Sequence, residues 1–223
     1  MTTSQFRLAP SSIVDALYES VRKRIINGDF SPGEKLTEQR IADEYDVARP
    51  TAKACLERLT ALGLLRRSAH KTAVVPELSA DDIRDLFTTR ELLEGSAVGR
   101  LALLNHLPLE ASRSQAAIVA AAESGDFAAQ VQADILFHWA LINGVDSPRL
   151  ARVYELISGE IHLTMGQFQA HRTAQPTTVA AEHATIIEAI KKGQPDVATQ
   201  ALELHLRAAR DRVLARRSTK ATA

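Results

Sequence analysis

The chain has 223 residues, 45% of them apolar, and its 27 Lys and Arg are balanced by 27 Asp and Glu. That length supports two modest domains with cores of their own, and the zero net charge gives no general argument for a polyanionic partner. A single cysteine, Cys55, excludes an intrachain disulfide; no apolar run approaches the ~20 residues of a membrane helix, and the first twelve residues lack the apolar core of a secretory leader, so a soluble cytoplasmic protein is expected.

The first helical pattern runs from Ser11 or Ser12 to Ile26, with Ile13, Leu17, Val21 and Ile25 on one face. Asn27-Gly28 ends it and Ser31-Pro32-Gly33 turns the chain. Thr37 then caps a short helix whose Ile41 and Tyr45 face inward. A third helix spans about Arg49 to Leu62 and is closed by Gly63. Leu64–Arg67 and Ala73–Val75 read as two strands around a polar tip, Ser68–Thr72. Residues 9–75 are therefore expected to form three helices and a hairpin, and residues 76–79 a linker.

Beyond the linker only helices are expected. Ser79 caps the first, to about Asn105. Pro108 opens the second and Asp126 the third, which ends near Asn143. Ser147-Pro148 supplies a cap and a first-turn proline for the fourth, to about Phe168. The fifth covers about Thr178 to Lys192; Gly193 stops it, and Pro195 starts the sixth, reaching about Arg217. Six amphipathic helices on short connections predict an antiparallel bundle over residues 80–217. The fold class is mostly α, a winged helix-turn-helix followed by an all-α bundle.

Charge is distributed unevenly. Residues 1–75 carry 12 Lys and Arg against 9 Asp and Glu, and the remainder 15 against 18. A basic front on a helix-turn-helix suits double-stranded DNA. Arg49 and Lys53 lie four apart on one face of the third helix, where both can donate to guanine edges or phosphates. Thr51 and Gln39 can pair with phosphates, and His70 and Lys71 at the wing tip can reach the backbone or the minor groove. For any one of these residues alone, the alternative is an ordinary solvated side chain.

In the helical part, Asp134 and His138 are four apart and share a helix face. His183 lies ten residues before Gly193 and His205 twelve after it. If Gly193 turns a helical hairpin, the two imidazoles stand about 15 and 18 Å from the turn at ~1.5 Å per residue, nearly level. Three imidazoles and a carboxylate suit Zn, Ni, Mn or Fe as divalent ions. The alternative for each histidine is a core residue satisfied by a hydrogen bond.

The stretch Gly28-Asp29-Phe30-Ser31-Pro32-Gly33-Glu34-Lys35-Leu36-Thr37-Glu38, with Ile41-Ala42, Val47-Ala48-Arg49 and Leu56 through Gly63-Leu64, resembles the signature of GntR-type regulators. Ala48 stands where members usually have Ser or Thr, and Lys53-Ala54-Cys55 where they usually have Arg-Glu-Ala. Both changes bear on the operator sequence, since Lys lacks the fork of Arg. Thr72 replaces a usual wing Gly. Residues 80–217 are similar to the FCD effector domain of the FadR-type subfamily through Arg90-Glu91-Leu92-Leu93-Glu94, Asp134-Ile135-Leu136-Phe137-His138, Glu182-His183-Ala184-Thr185-Ile186 and His205.

The resemblance implies a metal held by Asp134, His138, His183 and His205, a small organic acid completing its coordination, and Arg90 pairing with that acid through a guanidinium–carboxylate fork. For Arg90 the alternative is an ion pair with Glu94 or Asp134. Asn143 and His162 are further pocket candidates. A homodimer on a pseudo-palindromic operator is expected, with repression the commoner mode. Two rivals are a metal-dependent enzyme, which leaves the winged head unexplained, and a helical interaction module without a ligand.

Overall fold

The structure, a computed structural model, describes residues 13–67, 72–168 and 176–221. It divides into two compact units, residues 1–77 and 78–223.

In the first unit, α1 (Ile13–Asn27), α2 (Glu38–Tyr45) and α3 (Arg49–Ala61) enclose one small core. The helical period places Leu17, Tyr18, Val21 and Ile25 of α1 inside. They meet Ile41 and Ala42 of α2 and Ala52, Cys55, Leu56 and Leu59 of α3, all buried. Thr37 caps α2 as its sequence suggests, its Oγ1 accepting from the Arg40 amide at 3.1 Å. Tyr45 is only half-buried; its hydroxyl is held by Ser20 Oγ at 3.2 Å and Arg24 Nη1 at 3.1 Å.

The wing differs from the expected hairpin. β1 (Lys35–Leu36) pairs antiparallel with β2 (Ala73–Val74) in the register Lys35↔Val74 and Leu36↔Ala73. The expected strand Leu64–Arg67 contributes a single bridge, Arg66 to Val74, with exchanged bonds of 2.8 and 2.9 Å. The reason lies in burial. Leu64 and Leu65 are consecutive and both buried, so this segment fills the core instead of alternating between two faces. The tip, Ser68–Lys71, lies outside the described residues, and with it the DNA candidates His70 and Lys71.

The second unit contains α4 (Ala80–Leu103), α5 (Leu109–Ser124), α6 (Phe127–Asn143), α7 (Pro148–Phe168), α8 (Pro176–Lys191) and α9 (Pro195–Ala221). α4 starts with a reciprocal capping box between Ser79 and Asp82, and α6 with the Asp126 side chain accepting from the Ala129 amide. Gly193 takes φ +66° between α8 and α9, a left-handed conformation that costs glycine little. α9 continues to Ala221, past the expected end near Arg217. From it, Arg217 Nε donates to the carbonyl of Leu78 at 3.0 Å. No helix of the described residues is long and apolar enough to cross a membrane.

Glycines mark two close approaches within the second unit. A Cβ on Gly99 of α4 would stand 3.2 Å from Thr199 Oγ1 of α9, so this glycine lets the two helices approach closely, while one on Gly95 would make an ordinary 3.5 Å contact with the same residue. Gly144, which follows α6, is tighter. A Cβ there would collide with the Pro108 side chain and stand 3.1 Å from the Ala140 carbonyl oxygen. Gly144→Ala is therefore expected to destabilise by about 1–3 kcal/mol, the usual range for overpacking. A calorimetric Tm lowered by roughly 2–12 °C, at ~2–4 °C per kcal/mol, is the expected reading; an unchanged Tm would show that Pro108 yields freely.

Candidate functional site

On the first unit, α3 presents Arg49, Pro50, Lys53 and Glu57 to solvent, while Ala52, Cys55, Leu56 and Leu59 anchor its opposite face. Arg49 and Lys53 thus share an outward face, as their spacing predicts. Lys53 makes a long 3.9 Å ion pair with Glu57. Thr51 is half-buried beside them. The N-cap position, Ala48, makes no side-chain cap bond, so no side chain there competes for the first amides of α3. Gln39 is on α2, where its Nε2 donates to Asp43 at 2.6 Å. Burial pushes the Cys55 thiol up to about 11, which leaves it unreactive.

In the second unit the four residues singled out by spacing converge. Asp134 and His138 come from one face of α6, His183 from α8 and His205 from α9, and all four are buried. Their ligand atoms lie within 4.8 Å of one another. Nε2 of His138 is 3.1 Å from Nε2 of His205, which is 3.3 Å from Nε2 of His183. Asp134 Oδ1 is 3.3 Å from His183 Nε2 and 3.9 Å from His138 Nε2.

The far side of each ring explains why this arrangement suits a cation. His138 Nδ1 donates to Glu94 Oε2 at 2.6 Å, and His205 Nδ1 to Glu182 Oε2 at 2.7 Å. A proton held on Nδ1 leaves Nε2 with its lone pair, so two lone pairs face each other at 3.1 Å in a buried setting. Two nitrogens bound to one ion at ~2.0–2.1 Å with angles between octahedral and tetrahedral stand about 2.9–3.4 Å apart. The two Nε2–Nε2 separations fall in that interval, and Asp134 Oδ1, at 3.3 Å from His183 Nε2 but 3.9 Å from His138 Nε2, would have to draw closer to the imidazoles to complete the set; the chemistry of the donors fits a divalent transition metal. His183 completes the group, its ring stacked on Phe137 at 3.9 Å between centroids. Its Nδ1 is buried with no hydrogen-bond partner among the described residues.

The surrounding charges were not all legible in advance. Arg90 is buried and its Nε donates to Glu94 Oε1 at 2.7 Å, the ion pair weighed against its effector role. Tyr154 OH donates to the same oxygen at 2.8 Å. Burial alone would raise the Glu94 pKa, yet Arg90 and His138 hold it well below the carboxylate range. Arg212 grips Glu182 with both Nη groups, at 3.0 and 3.2 Å. Sequence reasoning gave Tyr154, Glu182 and Arg212 no role, although Glu182 adjoins His183. Of the further pocket candidates, Asn143 is exposed at the end of α6, and His162 is buried on α7 with Nδ1 donating to the Ser158 carbonyl at 2.7 Å. Neither belongs to the converging group.

These environments give the metal-free protein a directional pH response. Burial, then the neighbouring His205, lowers His183 to about 3 from an ordinary 6.5. Between those values the unfolded chain takes a proton that the folded one refuses, so stability present above about pH 6.5 is lost as pH falls toward 3. Glu182 acts in the same direction over a lower window. Burial would raise it, but hydrogen bonds from His205 and Arg212 bring it from 4.5 to about 2. The chelator-treated protein is expected to lose up to about 1.4 kcal/mol per pH unit below about pH 6.5 for the His183 proton, and as much again below about pH 4.5 for that of Glu182. Urea midpoints measured from pH ~7.5 to ~5 check this; a flat profile would contradict the buried neutral imidazole.

Comparison with known proteins agrees with both units. The model for bacterial regulatory proteins of the gntR family matches residues 13–75, and the FCD domain model matches residues 85–208. The chain is 28% identical over 211 residues to a probable D-xylose utilization operon transcriptional repressor of Paenarthrobacter nicotinovorans, covering 93% of this chain and 92% of that one. It is 26% identical over 212 residues to the gluconate operon transcriptional repressor of Bacillus subtilis, with 91% and 85% covered. A solved structure from Rhodococcus sp. RHA1 assigned to GntR has the same fold, at a TM-score of 0.78 and 24% identity, covering 92% of this chain and 99% of that one. The chain belongs to the gntR family of bacterial regulatory proteins, with an FCD domain as its second unit, and is a DNA-binding transcriptional regulator.

Proposed function

We propose that this regulator acts as a homodimer on a pseudo-palindromic operator and is controlled by a small carboxylate metabolite bound at a divalent metal. Asp134, His138, His183 and His205 hold the metal, which is Zn, Ni, Mn or Fe on the chemistry of the donors. The carrying observation is the set of three imidazole Nε2 atoms and one carboxylate turned toward a common point inside the bundle. The metal supplies a Lewis-acid anchor for the effector's carboxylate. Arg90 reaches that carboxylate by sharing its five-donor guanidinium with Glu94; His162 and Asn143 contribute at most to the outer parts of the pocket.

Repression is supported by two relatives, a probable D-xylose utilization operon repressor and the gluconate operon repressor. The effector must bind the DNA-competent and released states with different affinity, since a ligand of equal affinity shifts nothing. The test combines elemental analysis of the purified protein, a thermal-shift screen of organic acids with and without chelator, and operator binding in the presence of each hit. Bound metal, an acid-induced shift that disappears with chelator, and altered operator affinity are expected. Absence of metal after growth or reconstitution with all four ions would overturn the sensing site and leave the DNA-binding assignment standing.

A further inference from the structure

Glu94 and Glu182 have the same relation to two different ring nitrogens, and neither belongs to the converging four. Glu94 is fully buried and accepts three hydrogen bonds: Arg90 Nε and Tyr154 OH on Oε1, His138 Nδ1 on Oε2. Glu182 accepts His205 Nδ1 on Oε2 and is clamped by Arg212 on both oxygens. His183 Nδ1 has no such carboxylate among the described residues. We propose that Glu94 and Glu182 are positioning residues for metal binding: each fixes its imidazole as the Nδ1–H tautomer and so commits Nε2, with its lone pair, to the centre. The inference rests on the metal reading above, and it assigns Glu94 the larger share because that carboxylate is sealed from solvent.

The physical basis is donor accounting. A carboxylate offers only acceptors, so all three groups facing Glu94 must donate. Arg90 has no other choice, and Tyr154 can rotate its hydroxyl. His138 alone can move its proton to the other nitrogen. In Glu94→Gln the amide oxygen must face the Arg90 side, because a guanidinium cannot accept. The amide NH2 then faces His138 Nδ1, which must become the acceptor. The His138 proton is driven to Nε2, into the centre, where it blocks ligation. Loss of such a supporting partner typically costs about 10–100-fold in metal affinity.

The experiment uses the full chain labelled with 15N-histidine. Long-range 1H–15N correlation of the chelator-treated protein reports which nitrogen of each ring carries the proton. The wild type is expected to show Nδ1–H at His138 and His205. Glu94→Gln is expected to convert His138 to Nε2–H, leave His205 unchanged, and weaken Zn2+ binding about 10–100-fold in chelator competition. Glu182→Gln, at a partly exposed position, is expected to weaken Zn2+ binding by about tenfold, the low end of that range, and it decides the question if Glu94→Gln fails to fold. An Nε2–H tautomer at both rings in the wild type, or unchanged Zn2+ affinity in both folded variants, would overturn the inference. A wild type that takes up no metal would instead refute the metal reading, and the tautomer measurement would still stand as the test of the two glutamates.

Discussion

His183→Ala combined with His205→Ala is expected to bring bound metal from one ion per chain to none after dialysis. The two substitutions remove the donors supplied by α8 and α9 and leave Asp134 and His138, neighbours on α6. Two donors from one helix do not make a closed four-ligand site. In the wild type, metal at ~1,000 times its Kd stabilises the native state by about 4 kcal/mol. For a domain of this size that is roughly 8–16 °C in Tm, at ~2–4 °C per kcal/mol. The double variant should show no metal-dependent shift, and its operator affinity should no longer respond to effector. Its baseline Tm should also fall, because His183 stacks on Phe137 and both rings are buried. The first unit has its own core, so DNA binding itself should persist. Unchanged metal stoichiometry in the folded variant would mean that the ligands have been wrongly identified.

Arg49→Ala with Lys53→Ala is expected to abolish specific operator recognition while leaving Tm unchanged. Both side chains are exposed on the outer face of α3, and neither contributes to the core. A good base contact carries about 1–3 kcal/mol of discrimination, so losing both side chains, if each makes one, should weaken specific binding by roughly 30- to 20,000-fold at about 1.4 kcal/mol per tenfold. Gel-shift titrations on operator and on scrambled DNA at two salt concentrations separate base reading from phosphate contact. Base readers should change the ratio of the two affinities; phosphate contacts should weaken both and flatten the salt dependence. Retention of the wild-type ratio would move recognition away from α3.

The helices were legible because their ends are chemically marked. Thr37, Ser79 and Asp126 all make the cap bonds their positions predict, and Gly193 makes the hairpin that levels His183 with His205. The level of two side chains across one short turn follows from helix rise alone, which is why His183 and His205 could be paired in advance; that Asp134 and His138 of another helix meet them rested on the family resemblance as well. The wing could not be read in advance. β1 is two residues long and lies between a turn and a cap, so it has no period, and its partner is nearly forty residues away. The carboxylates behind the imidazoles were hidden for a related reason. Glu94 and Arg90 form an i,i+4 pair that resembles any exposed helix pair, and nothing local indicates that the same carboxylate reaches His138, 44 positions along the chain.

α9 contains both His205 and, twelve residues on, Arg217, which holds the Leu78 carbonyl at the entrance to the second unit. Over that span a helix is a stiff rod of about 18 Å, with little capacity to absorb a rotation between its ends. A roll of α9 that reseats the imidazole therefore also swings the guanidinium, and the tether to the segment leading back toward the DNA-binding unit must follow or break. The last helix thus has the mechanical form of a crank, with its bearing in the bundle core and its handle at the chain's point of entry.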